Sequence, residues 1–469
     1  MGKNDKPKFM KSKVATSEES KISPRQPSQY GGLSSGSIQI TDISDDHVLT
    51  SESSGENSRT QVHGLPLHRA VVVVANAALG AGMLNFPQAY DKSGGLVNAL
   101  TVQTCLVLLI IGSFFILGYC GRLRRTANYQ DTIRDFCGPI AQVICQINVV
   151  LYMFGCNVTH MILIGDQLTK VIDHSGWYFD RKIVITVVCC AFILPLCIPE
   201  KLKVVSYSSL IGGIGAVFVC CIVVSRYYTG GYSPGEGASN SSWSSTQIFA
   251  AVPVICFGFQ CHVTAVAVYA ELRRPTLTRF GLVTFLATLI CTVLYSLTGS
   301  YGYLTFKHHV NSDVLVNYRH DDGVATSARV FIVIVVFSTF AICQFVGRSA
   351  IIGLWLKMRK LTAAQVEDYK NKRRVITSLI WFFSSLGIAV IVPNIAEAIA
   401  IVGALAAHFI FTFPGLCLIQ LMLQDGRTME AKRKIGLTIG ITYVVIGMFL
   451  FGVTVTAALM TDIEGKYLA

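Results

Sequence analysis

The chain has 469 residues, of which 52% are apolar and only 14% charged, and its formal net charge is +12. A soluble globular protein is typically about 25% charged, so this chain lacks the polar residues to cover a water-facing surface. The composition excludes a secreted disulfide scaffold, a fibrous protein and a disordered polymer, and it strongly disfavours a soluble enzyme. The basic excess is typical either of nucleic-acid binding or of the cytoplasmic loops of a polytopic membrane protein.

Residues 1–64 are rich in Ser, Lys, Asp and Gly, and we predict a disordered tail there. The tail contains no apolar stretch followed by a small-residue cleavage site, which favours a cytosolic location over a secretory signal. From Leu67 onward, apolar runs recur that are each long enough to cross ~30 Å of hydrocarbon. We predict eleven transmembrane helices, at 67–90, 96–120, 137–169, 183–200, 204–228, 246–270, 281–306, 325–350, 375–393, 396–423 and 435–459. The predicted transmembrane domain covers 65–459, and a short luminal or extracellular tail follows at 460–469.

The distribution of basic residues supports this arrangement. With the N-terminal tail inside, twenty Lys and Arg residues fall in the even-numbered, cytoplasmic connections and eight in the odd-numbered ones. Such asymmetry is the positive-inside rule, and it accounts for the basic excess without nucleic acid. The fifteen cysteines lie almost entirely inside apolar runs and form no CxxC pair, so we predict buried free thiols.

The first ten predicted helices form two sets of five. Glycine interruptions at Gly80 and Gly258 lie 178 residues apart, and the next four helix pairs are separated by about 184 to 190 residues. Because five is an odd number, the second set must enter the membrane upside down. The pattern predicts a 5+5 inverted repeat with the eleventh helix left over.

Both interrupted helices carry residues that make a continuous helix costly. The first contains Gly80, Gly82 and Pro87, and the sixth contains Pro253 and Gly258. Breaking them would free backbone N–H and C=O groups inside the membrane, which is tolerated only where those groups line a cavity or meet a ligand. Close packing at the glycines would explain either helix alone, but matched interruptions in the two halves favour a transport site.

An amino acid fits such a site. Its carboxylate suits exposed N–H groups at the start of a half-helix, and its ammonium group suits freed carbonyls at the end of one. The predicted substrate-binding residues are Leu79, Gly80, Ala81, Gly82, Phe257, Gly258, Phe259 and Gln260.

Three stretches, at 76–87, 255–262 and 413–420, resemble the sodium-coupled neutral amino acid transporters of the amino acid/auxin permease group. The resemblance runs from about Leu65 to the end of the eleventh helix. It implies an all-α polytopic membrane protein with the inverted-repeat fold of bacterial leucine transporters, in which helices one and six are broken. It also implies a monomer that carries small neutral amino acids such as glutamine or asparagine, by cation-coupled symport with alternating access.

The resemblance further implies a sodium ion between the first and eighth helices. The matching positions in this chain are Asn76, Ala78, Ser338 and Thr339. Ligation by oxygen alone suits a hard monovalent cation, and unwound backbone supplies the remaining ligands. The alternative for Ser338 and Thr339 is a hydroxyl bonded back to its own helix. No cofactor other than this coupling ion is expected.

Other functions stay open or are disfavoured at this stage. A proton-coupled amino acid transporter and a nutrient-sensing receptor that signals through the tail are both compatible with the sequence. A channel is disfavoured by the repeat within one chain, and a membrane enzyme by the lack of clustered His, Asp or Cys residues. Lysosomal or endosomal membranes and the plasma membrane are equally compatible with this reading.

Overall fold

The structure is a computed structural model that describes residues 64–171, 181–198, 205–229, 251–359, 369–392, 394–424 and 429–467, together with Tyr232 and Phe249. Within these ranges the chain is helical, and its sole extended pairing is a parallel bridge between Leu65 and Leu272. The predicted tail over 1–63 lies outside the described residues.

The first predicted helix consists of two parts. Helix α1 spans Leu67–Ala78, a 3₁₀ segment follows at Ala81–Asn85, and α2 spans Phe86–Lys92. The two parts are bent relative to each other by 51°. Pro87 lies in the first turn of α2, where its missing N–H removes no helical hydrogen bond.

The next four predicted segments are also helical. Their helices are α3 at Leu96–Arg124, α4 at Tyr129–Val171, α5 at Arg181–Val188, α6 at Leu194–Cys197 and α7 at Val205–Thr229. Within α4, Gly138 has a φ of +88° and joins a short helix to the long one that starts at Pro139. A glycine in this left-handed region is a common helix end. This break explains why the apolar run was predicted to start near 137.

The sixth predicted helix is broken as expected, although Pro253 does not lie at the break. Helix α8 spans Val252–Gly258, α9 spans His262–Glu271, and the break lies at 259–261. Pro253, which we grouped with the features of the break, lies instead in the first turn of α8. Proline is tolerated there because that turn has no intrahelical N–H bonds to lose.

The remaining segments are six helices, with a π-helical turn at His408–Thr412 between two of them. They are α10 at Leu277–Phe306, α11 at Gly323–Arg359, α12 at Lys370–Ile391, α13 at Ile395–Ala407, α14 at Phe413–Gln424 and α15 at Glu430–Tyr467. The predicted C-terminal tail from 460 therefore begins as a continuation of α15.

Among the described residues, nine helices are long and apolar enough to cross a membrane, or ten if the bent first segment is one span. The segment at 181–198 falls short of that length, because its described helical residues run only from Arg181 to Cys197. The described part of the chain is therefore an all-helical polytopic membrane protein.

The broken helices lie at the centre of the bundle. In the apolar window of α8 and α9, 78% of the residues are buried, against 22% in the window of α15. Gly403 of α13 brings that helix against the backbone of α8, where an added β-carbon would lie 2.8 Å from Pro253 Cα. Helices α7 and α10 pack against α1 from the other sides. The two breaks are thus shielded from lipid by their neighbours.

Candidate substrate and ion site at two helix breaks

The two breaks touch each other. A β-carbon added at Gly82 would lie 2.9 Å from Phe257 Cδ1 and 3.4 Å from Gly258 Cα. A β-carbon at Gly258 would in turn lie 2.9 Å from Phe86 Cε2. These two glycines therefore permit the close approach of the first break to the second.

A tyrosine hydroxyl joins the ends of the two broken helices. Tyr295 of α10 is fully buried, and its hydroxyl lies 2.7 Å from the Ala78 carbonyl oxygen and 2.9 Å from that of Gly258. These are the last residues of α1 and α8, whose carbonyls have no partner within their helices. The ring of Tyr295 stacks on Phe86 at 4.4 Å and meets Phe259 edge-on at 5.1 Å. The Tyr295 hydroxyl therefore lies within hydrogen-bond distance of the carbonyl that ends each of the two helices.

The first break also presents unpaired donors. In the described part of the chain, the backbone N–H groups of Gly80, Ala81 and Gly82 donate to no backbone carbonyl. No charged side chain occurs between Ala70 and Tyr90 or between Val252 and Ala270. The charges at these breaks are therefore the partial charges of the backbone, which match a zwitterion better than a ligand with net charge.

The predicted substrate residues differ in what surrounds them. Leu79, Ala81, Phe257 and Phe259 are buried, and Gln260 is buried with its Nε2 lacking a partner. Gly80 has extended backbone angles, with φ at −169°, and a β-carbon there would meet no atom within 4 Å. Open space and unpaired N–H groups therefore coincide at Gly80, whereas Gly82 and Gly258 are packed.

Among the described side chains of the predicted ion residues, each has its own surroundings. Asn76 is buried on α1, its Oδ1 has no hydrogen-bond partner, and it lies against Gly212 of α7. The Ala78 carbonyl accepts from Tyr295. Thr339 donates to Val335 of its own helix at 3.0 Å, the alternative noted for it above, and the side chain of Ser338 lies outside the described residues.

Two contributors could not be found by sequence reasoning. Tyr295 lies in an uninterrupted apolar helix, where a tyrosine is indistinguishable from other packed aromatic residues. Gly212 likewise resembles any glycine at a helix contact, yet a β-carbon there would overlap Asn76 Oδ1.

The site contains the groups that bind a small zwitterion and an alkali cation. Unpaired N–H groups and freed carbonyls offer donors and acceptors, and Asn76 Oδ1 adds a buried neutral oxygen. In the described ranges no three His, Cys, Asp or Glu side chains converge as a transition-metal site would require. Discontinuous helices that meet inside an apolar helical bundle are typical of membrane transporters.

The comparisons identify the family. The model of the transmembrane amino acid transporter protein family matches residues 64–460, and the chain belongs to that family. It is 38% identical over 407 residues to sodium-coupled neutral amino acid transporter 7 of Danio rerio, covering 84% of this chain and 87% of the relative. The human protein of that name is 36% identical over 84% of this chain and 88% of its own length. Human solute carrier family 38 member 8 is 34% identical over 83% and 92%. The resemblance inferred from the sequence is thereby confirmed, and the family is one of transporters rather than enzymes.

Proposed function

We propose that this protein is a secondary active transporter that moves small neutral amino acids, of the size of glutamine or asparagine, together with sodium. The observation that carries the proposal is the coincidence at Gly80 of unpaired backbone N–H groups and open space. The names of the relatives, which describe sodium-coupled neutral amino acid transport, support the same substrate class and ion.

The substrate carboxylate binds the N–H groups of Gly80, Ala81 and Gly82. Its ammonium group lies toward the carbonyl of Gly258, so it competes with the Tyr295 hydroxyl for that acceptor. The substrate side chain extends toward Gln260, whose unpartnered Nε2 donates to an amide or hydroxyl oxygen. Phe257 and Phe259 complete the apolar wall. Leu79 limits the space on the side of α1.

The membrane arrangement belongs to the same proposal. Eleven spans form a 5+5 inverted repeat with the N-terminal tail in the cytosol, and one repeat moves against the other during alternating access. The protein acts as a monomer in a lysosomal or plasma membrane. A cysteine introduced at Gln365 tests the topology. With the protein at the cell surface and its other cysteines unreactive, an impermeant thiol reagent must leave this cysteine unlabelled in intact cells and label it after permeabilisation. Labelling in intact cells would contradict the proposed orientation.

Sodium binds between Asn76, the Ala78 carbonyl and the hydroxyls of Ser338 and Thr339. In this proposal the Thr339 hydroxyl keeps its bond to Val335 and offers a lone pair to the ion, while Ala78 shifts its carbonyl from Tyr295. Asn76 Oδ1 requires the least rearrangement, because it already lacks a partner.

Replacement of the ion ligands tests the coupling. Asn76→Ala and Thr339→Ala each remove one oxygen, so half-saturation by sodium should move about tenfold higher, and raised sodium should partly restore uptake by mass action. Substrate affinity should fall with it, because ion and substrate share the first break. The measurement is amino acid uptake in proteoliposomes, with sodium and pH varied separately. If wild-type uptake depended on pH and did not change with sodium concentration, the coupling ion would be the proton and not sodium.

A further inference from the structure

Arginine side chains line a cavity at one end of the broken helices. The cavity has a volume of about 300 Å³ and is lined by Pro66, Leu67, Arg273, Arg274 and Arg279. We refer to it as the arginine cavity. It lies where α1 begins, α9 ends and α10 begins. Since the apolar spans start at Leu67 and Leu277, the cavity lies at a membrane surface rather than inside the bilayer.

The cavity carries an excess of positive charge: three arginines line it, and the nearest acidic residue along the chain is Glu271, at the end of α9. In the described part of the chain no carboxylate pairs with Arg273, Arg274 or Arg279. The N-terminus of α10, capped by Thr276, adds its helix dipole in the same direction. Three guanidinium groups beside a helix N-terminus form a strongly anion-attracting surface.

The backbone holds one of the three side chains in place. Arg279 Nη1 donates to the Arg273 carbonyl at 2.7 Å, and the Arg279 N–H donates to Thr276 Oγ1 at 3.3 Å. Arg274 has a φ of +62°, in the left-handed region that a residue with a β-carbon rarely adopts. The connection between α9 and α10 is therefore a defined turn, in which Arg279 is fixed to the backbone and Arg273 and Arg274 are exposed.

The same turn is tied to the first broken helix. The Leu65 N–H donates to the Glu271 carbonyl at 2.9 Å, and the backbone N–H of Arg273 donates to the Leu65 carbonyl at 3.0 Å. Gly64 permits this pairing, because a β-carbon there would lie 2.9 Å from Arg273 Cα. An anion in the arginine cavity would thus contact both the start of α1 and the end of the second broken helix.

We propose that the arginine cavity binds a phosphate-bearing anion, and that the phosphate of a lipid headgroup is its source. Guanidinium groups match phosphate oxygens through paired hydrogen bonds, and basic pockets between membrane helices hold such headgroups. The apolar surfaces of Pro66 and Leu67 accommodate the adjoining glycerol and acyl carbons. A bound headgroup stabilises the paired state of Leu65 and Arg273. Any effect of the bound headgroup on the rate of transport depends on the amino acid transport proposed above.

Thermal unfolding of the purified full-length chain in detergent tests the binding. The probes are dibutanoyl phosphatidylinositol 4,5-bisphosphate and, in a separate arm, inorganic phosphate. The variant Arg274→Gln/Arg279→Gln removes two guanidinium groups. Lys432→Gln/Arg433→Gln is the matched control, since it removes the same charge from exposed positions at the start of α15.

The lipid should raise the unfolding temperature of the wild type and of the control, and the cavity variant should need about tenfold more lipid for the same effect. Inorganic phosphate should act only at much higher concentration; equal potency of the two probes would assign the site to free phosphate instead of a headgroup. Equal responses of the cavity variant and the wild type would overturn the proposal. Because no transport step enters the readout, this failure would leave the proposed amino acid transport untouched.

Discussion

The two broken helices expose different chemistry although they occupy matching positions in the chain. The first break is long and is open at one residue: it runs through extended residues and a buried 3₁₀ segment, and a β-carbon at Gly80 would meet nothing within 4 Å. The second break is three residues long and packed, and a β-carbon at Gly258 would lie 2.9 Å from Phe86 and 3.3 Å from Tyr295. On this difference we base the proposal that the first break binds the backbone groups of the amino acid and the ion, while the second forms a packed wall.

Both breaks leave polar groups without a partner. Those at the first break are the acceptor Asn76 Oδ1 and three backbone donors, and those at the second are Gln260 Nε2 and the backbone N–H groups in the first turn of α9. In the proposed site the first break binds the groups common to all amino acids, and Gln260 selects among their side chains. Tyr295 bonds to both breaks and sets the distance between them.

The largest effect is expected for Gly258→Val. Its branched side chain must displace Phe86 and Tyr295, so it should abolish uptake and also lower the unfolding temperature, at a cost of ~1–3 kcal/mol for overpacking. Uptake in proteoliposomes and a thermal unfolding curve in detergent measure the two effects. An unchanged unfolding temperature would show that the second break is as open as the first.

Gly80→Val should abolish uptake without changing stability. The valine side chain would occupy the open space in which the substrate binds, and the extended backbone at Gly80 accommodates a β-carbon. Gly387→Val is the matched control, because a β-carbon at this exposed position of α12 also meets nothing within 4 Å. Uptake should be lost in Gly80→Val and kept in Gly387→Val. Normal uptake in both variants would show that the substrate does not bind at the first break.

Tyr295→Phe should have a smaller effect on both properties. The ring and its stacking on Phe86 are retained, while the carbonyls of Ala78 and Gly258 lose their shared donor. A buried carbonyl left without a partner costs ~1–3 kcal/mol, so we expect a lower unfolding temperature and uptake reduced about tenfold. Wild-type stability of this variant would mean that the two helix ends are not held by the hydroxyl.

These predictions rest on features that the sequence reveals to different extents. The breaks near Gly80 and Gly258 were predictable, since glycine lowers helix propensity and the two interruptions lie at matching positions in the two sets of five helices. The role of Pro253 was misjudged because the start of the sixth helix lies only one residue before it. Proline in a first turn and proline in a break look alike until the helix start is known.

The partners of the breaks could not be predicted, because they depend on packing across the repeat. Tyr295 and Gly212 contact α1 from helices α10 and α7, and neither residue type stands out in an apolar helix. The open side of Gly80 and the packed side of Gly258 likewise follow from their neighbours. Sequence pattern predicts where backbone groups are freed, whereas three-dimensional contacts decide which of them remain available to a ligand.

The smallest effect is expected in the loop between α10 and α11, which contacts the first break. Asn85, at the end of the 3₁₀ segment, donates to the Ser312 carbonyl at 2.6 Å, and the adjacent Asp313 is buried and accepts from Gln167 and from Leu315 N–H. Burial raises the pKa of the Asp313 carboxyl from 3.8 to about 7, and repulsion from Asp166 acts in the same direction, against the opposing charge of Arg329.

This pKa predicts how stability depends on pH. Between about pH 4 and pH 7 the folded protein holds a proton that the unfolded chain has lost, so stability should fall as pH rises through that window and level off above it. Asp313→Asn should remove this contribution and flatten the dependence of the unfolding temperature. Parallel pH profiles of the variant and the wild type would show that the carboxyl does not titrate in this range.

Counterflow of labelled glutamine in proteoliposomes tests the central claim most directly, because it needs substrate binding and alternating access but no ion gradient. Vesicles preloaded with unlabelled glutamine, in sodium-containing buffer at equal concentration on both sides, should accumulate label transiently with the wild type and with Gly387→Val. Vesicles with Gly80→Val should accumulate none, although the variant unfolds at the wild-type temperature. Wild-type counterflow in Gly80→Val, or its absence from the folded wild type for every small neutral amino acid, would contradict a substrate site at the first break.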